Sequence, residues 1–189
     1  MSLESSIAMT DEQLVEGCLI PDARAQKQLY ERFSRKMFAV CLRYSSNREE
    51  SEDILQDGFI KVFQKLSSYK GDGSLEGWIR KVVVNTALDH FRQQKISWSG
   101  IEMAEDQISE ESTLGKLDAQ ELLKIIQQLP KGFRTVFNLY AIEGYNHREI
   151  GELLGISENT SKSQYSRARA QLAESVQIHY QQTTNTEHP

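Results

Sequence analysis

The sequence predicts an all-α protein of two small helical domains joined by a flexible linker, the C-terminal one containing a helix-turn-helix. Three observations predict it. Only three prolines occur in 189 residues, which leaves long windows without a helix breaker. Apolar residues recur at three- and four-residue spacing in windows before residue 95 and again after residue 116. Between them, residues 97–115 show no period and are rich in acids and serine, the composition of a tether. The expected organisation is a first domain over 1–96, an acidic linker over 97–115, a second domain over 116–180 and a polar, disordered tail over 181–189.

The first helix is expected over 10–20, with Thr10 as its cap and acids in its first turn. Pro21-Asp22 interrupts it. From Asp22 to Tyr44, Leu29, Phe33, Phe38, Val40, Cys41 and Leu42 make much of the circumference apolar, so this helix is expected to be central to a bundle. Ser51–Leu66 comes next, with Ile54, Leu55, Phe59, Val62, Phe63 and Leu66 inward. Glu52, Asp53, Gln56, Asp57 and Lys61 stay outside. The acids have two readings, a helix start favoured by the macrodipole or a docking patch for a basic partner surface. Ser67–Ser74 is a loop with two glycines. Trp78–Gln94 returns to helix, with Ile79, Val82, Val83, Ala87 and Phe91 inward and Arg80, Lys81, Asn85, Asp89, Arg92 and Lys95 on a polar, largely basic face. Tyr69 and Trp78 beside those cations suit single-stranded nucleic acid, since rings stack on bases and cations track phosphates. They equally suit a core tryptophan and a half-buried loop anchor.

Helices resume at Leu117–Leu129, stop at Pro130, and return over Arg134–Ile142 with Gly144 as the close. The stretch NHREIGELLGISENTSKSQYSRAR, Asn146–Arg169, then reads as two helices and a tight turn. Asn146 and Glu149 have capping-box spacing, Gly155 sits where a left-handed residue stops a helix, and Ser157 can cap the next. In that second helix Ser161, Tyr165, Ala168 and Leu172 share one face. Such a pair is the plan of a DNA-binding helix-turn-helix, whose second helix enters the major groove. It is also the plan of an ordinary helical hairpin.

Composition excludes other classes. No apolar run reaches the ~20 residues of a membrane span, and the start lacks the basic and apolar regions of a signal peptide, so no membrane insertion and a cytoplasmic location are expected. Cys18 and Cys41 make no CxxC and read as buried free thiols. Four scattered histidines suggest no metal site, and no phosphate-binding glycine motif or nucleophile–base set is present, so neither a cofactor nor catalytic residues are expected. The formal charge is −5, but residues 61–95 carry +4 and residues 100–121 carry −6. Phosphate contact needs local charge, and a modest excess implies weak DNA binding by the isolated chain.

Two blocks carry a family resemblance: ESEDILQDGFIKVFQKLSSYKGDGSLEGWIRKVVVNTALDHFRQQK and LPKGFRTVFNLYAIEGYNHREIGELLGISENTSKSQYSRARAQL. Together they resemble the extracytoplasmic function (ECF) group of the sigma-70 family of bacterial RNA polymerase sigma factors, over about residues 10–175. The resemblance implies a promoter-selecting subunit that binds core RNA polymerase, through its clamp coiled coil and flap, binds promoter DNA, and is held by an anti-sigma factor. By position it implies docking on the clamp through Asp53, Gln56 and Asp57. It implies capture and reading of the −10 element by Tyr69, Lys70 and Asp72 of the loop and by Trp78, Arg80, Asn85, Asp89 and Arg92 of the following helix. It implies −35 recognition by Lys162, Ser163 and Ser166 at base edges and by Thr160, Arg167 and Arg169 near the backbone. Three residues depart from the family pattern: Ser161 for an inward valine, Gln164 for a frequent arginine, and Gly151 for a small alanine. They are expected to loosen packing, remove a phosphate contact and lower helix propensity, respectively. The alternatives are a stand-alone helix-turn-helix regulator that binds duplex DNA without polymerase, and a sigma-like protein that serves only as a binding module.

Overall fold

A computed structural model describes residues 9–20, 22–93 and 119–186. All regular structure among them is helical: α1 (Asp11–Leu19), α2 (Ala23–Tyr44), α3 (Arg48–Lys65), a 3-10 turn (Leu66–Ser68), α4 (Leu75–Gln93), α5 (Ala119–Gln128), α6 (Lys131–Phe137) continued by a π segment (Asn138–Ile142), α7 (His147–Leu154) and α8 (Glu158–Thr186). The all-α class read from the sequence holds. The packing forms two units. Among the described residues, one holds those up to Cys41 and Asn47–His90; the other holds Leu42–Ser46 and those from Phe91 on. The expected linker over 97–115 lies outside the described residues.

In the first unit α1 opens on a capping box, with Thr10 accepting from the Gln13 N–H and the Gln13 side chain reaching back. Leu14, Leu29, Phe33, Met37, Ile54, Phe59, Val62, Ile79, Val83 and Leu88 are buried and form its core. Each buried aliphatic or aromatic side chain contributes about 1.5–3 kcal/mol relative to exposure. Phe38, expected inward on α2, is only half-buried, with Arg48 covering part of its ring at 5.3 Å from the centroid. Ion pairs stitch the helices: Arg32 to Asp11 (3.0 Å) ties α2 to α1, and Lys36 to Glu76 (2.5 Å) ties α2 to the first turn of α4. Cys41 is buried and Cys18 half-buried, both as free thiols; burial pushes the Cys18 thiol above its ordinary value.

The second unit packs Ile125, Ile126 and Leu129 of α5 against Ala168, Leu172 and Val176 of α8, with Leu122, Phe133 and Phe137 at the edge. Val136, Leu139, Ile150 and Leu154 extend this interior under α6 and α7. α8 does not stop where the tail was expected at 181; its backbone stays helical to Thr186, since no glycine or proline interrupts the stretch. Residues 187–189 lie outside the described residues.

Candidate nucleic-acid interface

α3 carries the first group of candidate residues. Asn47 caps it, accepting from the Glu50 N–H at 2.8 Å, and Glu49 and Glu50 lie in the first turn, where the macrodipole favours acids. Ile54, Leu55, Phe59 and Val62 are buried, which turns Asp53, Gln56 and Asp57 to solvent together. They are not equivalent. Asp57 Oδ2 lies 2.8 Å from His90 Nε2 of α4, so this carboxylate already has a partner within its unit. Gln56 instead borders an open recess with Tyr30, Leu55, Phe59, Ile60 and Phe63. Tyr30 and Ile60 keep 43% and 47% of their surface exposed there. An acidic helix flanked by exposed apolar groups is a different surface from the purely charged patch the sequence suggested.

The loop before α4 is built rather than open-ended. Gly71 and Gly73 have positive φ (79° and 95°), which lets the chain fold back so that the Tyr69 hydroxyl donates to the Gly73 carbonyl at 2.8 Å. The Tyr69 ring lies 5.7 Å from the Trp78 ring, tilted by 54°, and both side chains are half-buried. Ser74 Oγ then accepts from the Gly77 N–H, and α4 starts at Leu75, three residues before the start expected at Trp78. Lys70 and Asp72 are exposed at the loop tip. On α4, Lys81, Asn85 and Arg92 are exposed at four- and seven-residue spacing, and Arg80 is half-buried. Asp89 is half-buried, with its carboxylate 2.8 Å from Lys61 Nζ of α3. Lys61 thereby offsets the acid on a face otherwise suited to phosphates. Neither partner of the Lys61–Asp89 or Asp57–His90 pairs could be read from spacing.

The helix-turn-helix forms at α7 and α8. Asn146 Oδ1 accepts from the Glu149 N–H (2.9 Å) and Glu149 Oε2 from the Asn146 N–H (2.8 Å), the full capping box. Gly155 ends α7 in the left-handed region (φ 69°, ψ 35°). At Gly151 a Cβ would stand 2.8 Å from the Ile156 carbonyl oxygen, while that residue's N–H donates back to Gly151 O at 3.0 Å. Glycine here lets the turn close tightly, which compensates for a propensity cost of about 1 kcal/mol against alanine.

Ser161, expected to loosen the packing, is fully buried, and its hydroxyl shares a 3.0 Å hydrogen bond with His147 Nδ1. A satisfied buried hydroxyl carries little of the penalty of an unsatisfied one. His147 is itself fixed by stacking on Tyr140 (4.3 Å, 12°), with Tyr165 closing the cluster. Burial, and then the nearby Lys162, hold the imidazole below its ordinary range, with Glu158 acting the other way, so the ring is neutral at neutral pH. Gln164 is buried rather than outward, so at this position the structure turns no side chain to solvent for a phosphate.

On the opposite face Lys162, Ser163, Ser166 and Arg169 are exposed, with Thr160 and Arg167 half-buried. Ser157 Oγ caps α8 by accepting from the Thr160 N–H (2.9 Å) and shares a second hydrogen bond with the Thr160 hydroxyl (2.8 Å). Thr160 is therefore engaged in the cap.

A model of sigma-70 region 2 matches residues 29–96, and a model of sigma-70 region 4 matches residues 119–172, together more than half of the chain. The chain is 26% identical over 181 residues to the RNA polymerase sigma-H factor of Pseudomonas aeruginosa, covering 88% of this chain and 94% of that one. It is 27% identical over 185 residues to the ECF RNA polymerase sigma-E factor of Haemophilus influenzae, covering 89% and 96%. The chain belongs to the sigma-70 family, in its ECF group.

As a sigma factor it is also 30% identical over 170 residues to the ECF sigma factor SigE of Mycolicibacterium smegmatis, covering 84% of this chain and 64% of that one. Among solved structures, the sigma factor RpoE of Bartonella quintana, crystallised with the anti-sigma factor NepR, has the same fold (TM-score 0.50, 24% identity, 80% of this chain and 96% of that one). The first unit of the sigma factor thus holds the region 2 match through His90 apart from Leu42–Ser46, and the second holds the region 4 match.

Proposed function

We propose that the sigma factor docks on core RNA polymerase through the exposed face of α3, opens and reads the −10 element with the 67–74 loop and α4, and reads the −35 element with α8. The observation that carries this reading is the presence, in one chain and in this order, of a region 2 unit and a region 4 unit. Asp53, Gln56 and the Tyr30–Ile60 apolar edge supply docking. Asp57 acts mainly inside the unit through His90. Tyr69 and Trp78 offer ring faces to unpaired bases, and Lys70, Arg80 and Asn85 offer donors to the strand, whereas the Arg92 guanidinium donates to the Leu153 carbonyl. Lys162, Ser163 and Ser166 meet base edges, with Arg167 and Arg169 near the backbone. The work is binding and base capture; the polymerase performs the chemistry, so the sigma factor is not an enzyme.

A stand-alone duplex-DNA regulator leaves the region 2 unit without a use. No helix among the described residues is long and apolar enough to cross a membrane. An anti-sigma factor, of the kind seen with the Bartonella quintana protein, is the proposed regulator.

Footprinting tests the division of labour. Holoenzyme reconstituted with the full chain is expected to protect two separate promoter elements, and the chain alone neither. Strong protection by the chain alone would refute the dependence on polymerase.

A further inference from the structure

α8, the helix proposed to enter the major groove, opens on an acid. Glu158 is its first residue, and its carboxylate accepts from Lys162 Nζ at 2.7 Å, one turn on. Both side chains stay about half exposed, 49% for Glu158 and 55% for Lys162. The Lys162 ammonium, by hydrogen bond and by charge, holds the Glu158 carboxyl below the ordinary range, so it is ionised at neutral pH. The front of the helix therefore presents donors and acceptors side by side with their charges balanced.

That arrangement suits one kind of target. A phosphate offers acceptors only, and Glu158 opposes its approach. Base edges in the major groove offer both kinds of group: guanine has the acceptors O6 and N7 together, and cytosine has the N4 amino donor. The neighbouring hydroxyls compete weakly for this position. Ser163 gives its proton to the Thr160 carbonyl (3.0 Å), and Thr160 is tied to Ser157.

We propose that Glu158 and Lys162 act as a couple that reads guanine and cytosine together in the −35 element, Lys162 donating to guanine O6 and N7 and Glu158 accepting from cytosine N4. This rests on the reading of α8 as the −35 reader and adds Glu158 as a specificity-determining residue. Glu158 acts by exclusion as well as attraction, since thymine O4 and guanine O6 would face its carboxylate with acceptors.

The test uses core polymerase reconstituted with the full chain and a template library randomised across the −35 element, with transcripts sequenced to give the base preference at each position. Glu158→Ala is expected to reduce a preference for cytosine at one position by about tenfold. Glu158→Gln keeps the side chain's size and is expected to move that preference towards adenine, which an amide matches at N6 and N7. Lys162→Ala is expected to remove the guanine preference beside it. An unchanged profile with Glu158→Ala, alongside a changed one with Lys162→Ala, overturns the couple and leaves the −35 reading standing. An unchanged profile when Lys162, Ser163 and Ser166 are all replaced by alanine overturns the −35 reading and the couple with it.

Discussion

Ile60→Lys is expected to weaken binding of the sigma factor to core RNA polymerase by about 100-fold, the scale of an interface hot spot. Its helical content and melting midpoint should be unchanged. Ile60 is 47% exposed on the helix that also presents Asp53 and Asp57, and it borders a recess shared with Tyr30, Gln56 and Phe63. The exposed part of such an apolar group gains nothing from folding and becomes useful when a partner covers it. Lysine at this position would leave an unpaired charge in the covered interface and lose the apolar contact. Asp53→Lys tests the charged part of the same face and is expected to act mostly on the association rate and its salt dependence. Titration of labelled core polymerase measures both. Binding of Ile60→Lys within about threefold of the original chain would place docking elsewhere, since a central interface residue costs more than that.

Tyr69→Ala has the second largest expected effect, a fall in open-complex formation of about 10- to 100-fold with core binding intact, as for loss of a stacking base platform. The Tyr69 hydroxyl pins the loop through the Gly73 carbonyl, and its ring leans on Trp78. Alanine removes both, so the loop must be ordered at the moment a base is captured, and that entropy opposes melting. Tyr69→Phe keeps the ring and loses one exposed hydrogen bond, worth about 1 kcal/mol or less, so a drop of no more than about fivefold is expected. Permanganate reactivity of unpaired thymines reads the open complex directly. Equal reactivity for the original chain and Tyr69→Ala would show that the loop does not hold the melted strand.

Much of this fold was legible because helical period and caps are local. The Asn146–Glu149 capping box and the Gly155 stop were read from spacing and formed as read. Boundaries moved where one local rule overrode another. Asn47 caps the next helix, so α3 starts at Arg48 rather than Ser51. Ser74 caps the turn that contains Gly77, so α4 starts at Leu75 rather than Trp78. The π segment at Asn138–Ile142 has no signature in a 3.6-residue period.

The candidate sites were legible as faces and illegible as partnerships. Periodicity turned Asp57 and Asp89 outward, but His90 is 33 residues from one and Lys61 is 28 from the other. Ser161 looked like a packing defect because its partner, His147, lies across the turn on α7. Glu158 is the exception: its four-residue spacing to Lys162 is a helical ion-pair signal that sequence alone carries.

This chain confers promoter choice on core RNA polymerase. Transcription by the reconstituted holoenzyme from a library of genomic fragments, with mapped 5′ ends, tests it most directly. Initiation is expected at a restricted set of sites that share two sequence elements at the −35 and −10 positions, with none of these starts from core polymerase alone. Starts no different from those of core polymerase alone would contradict it.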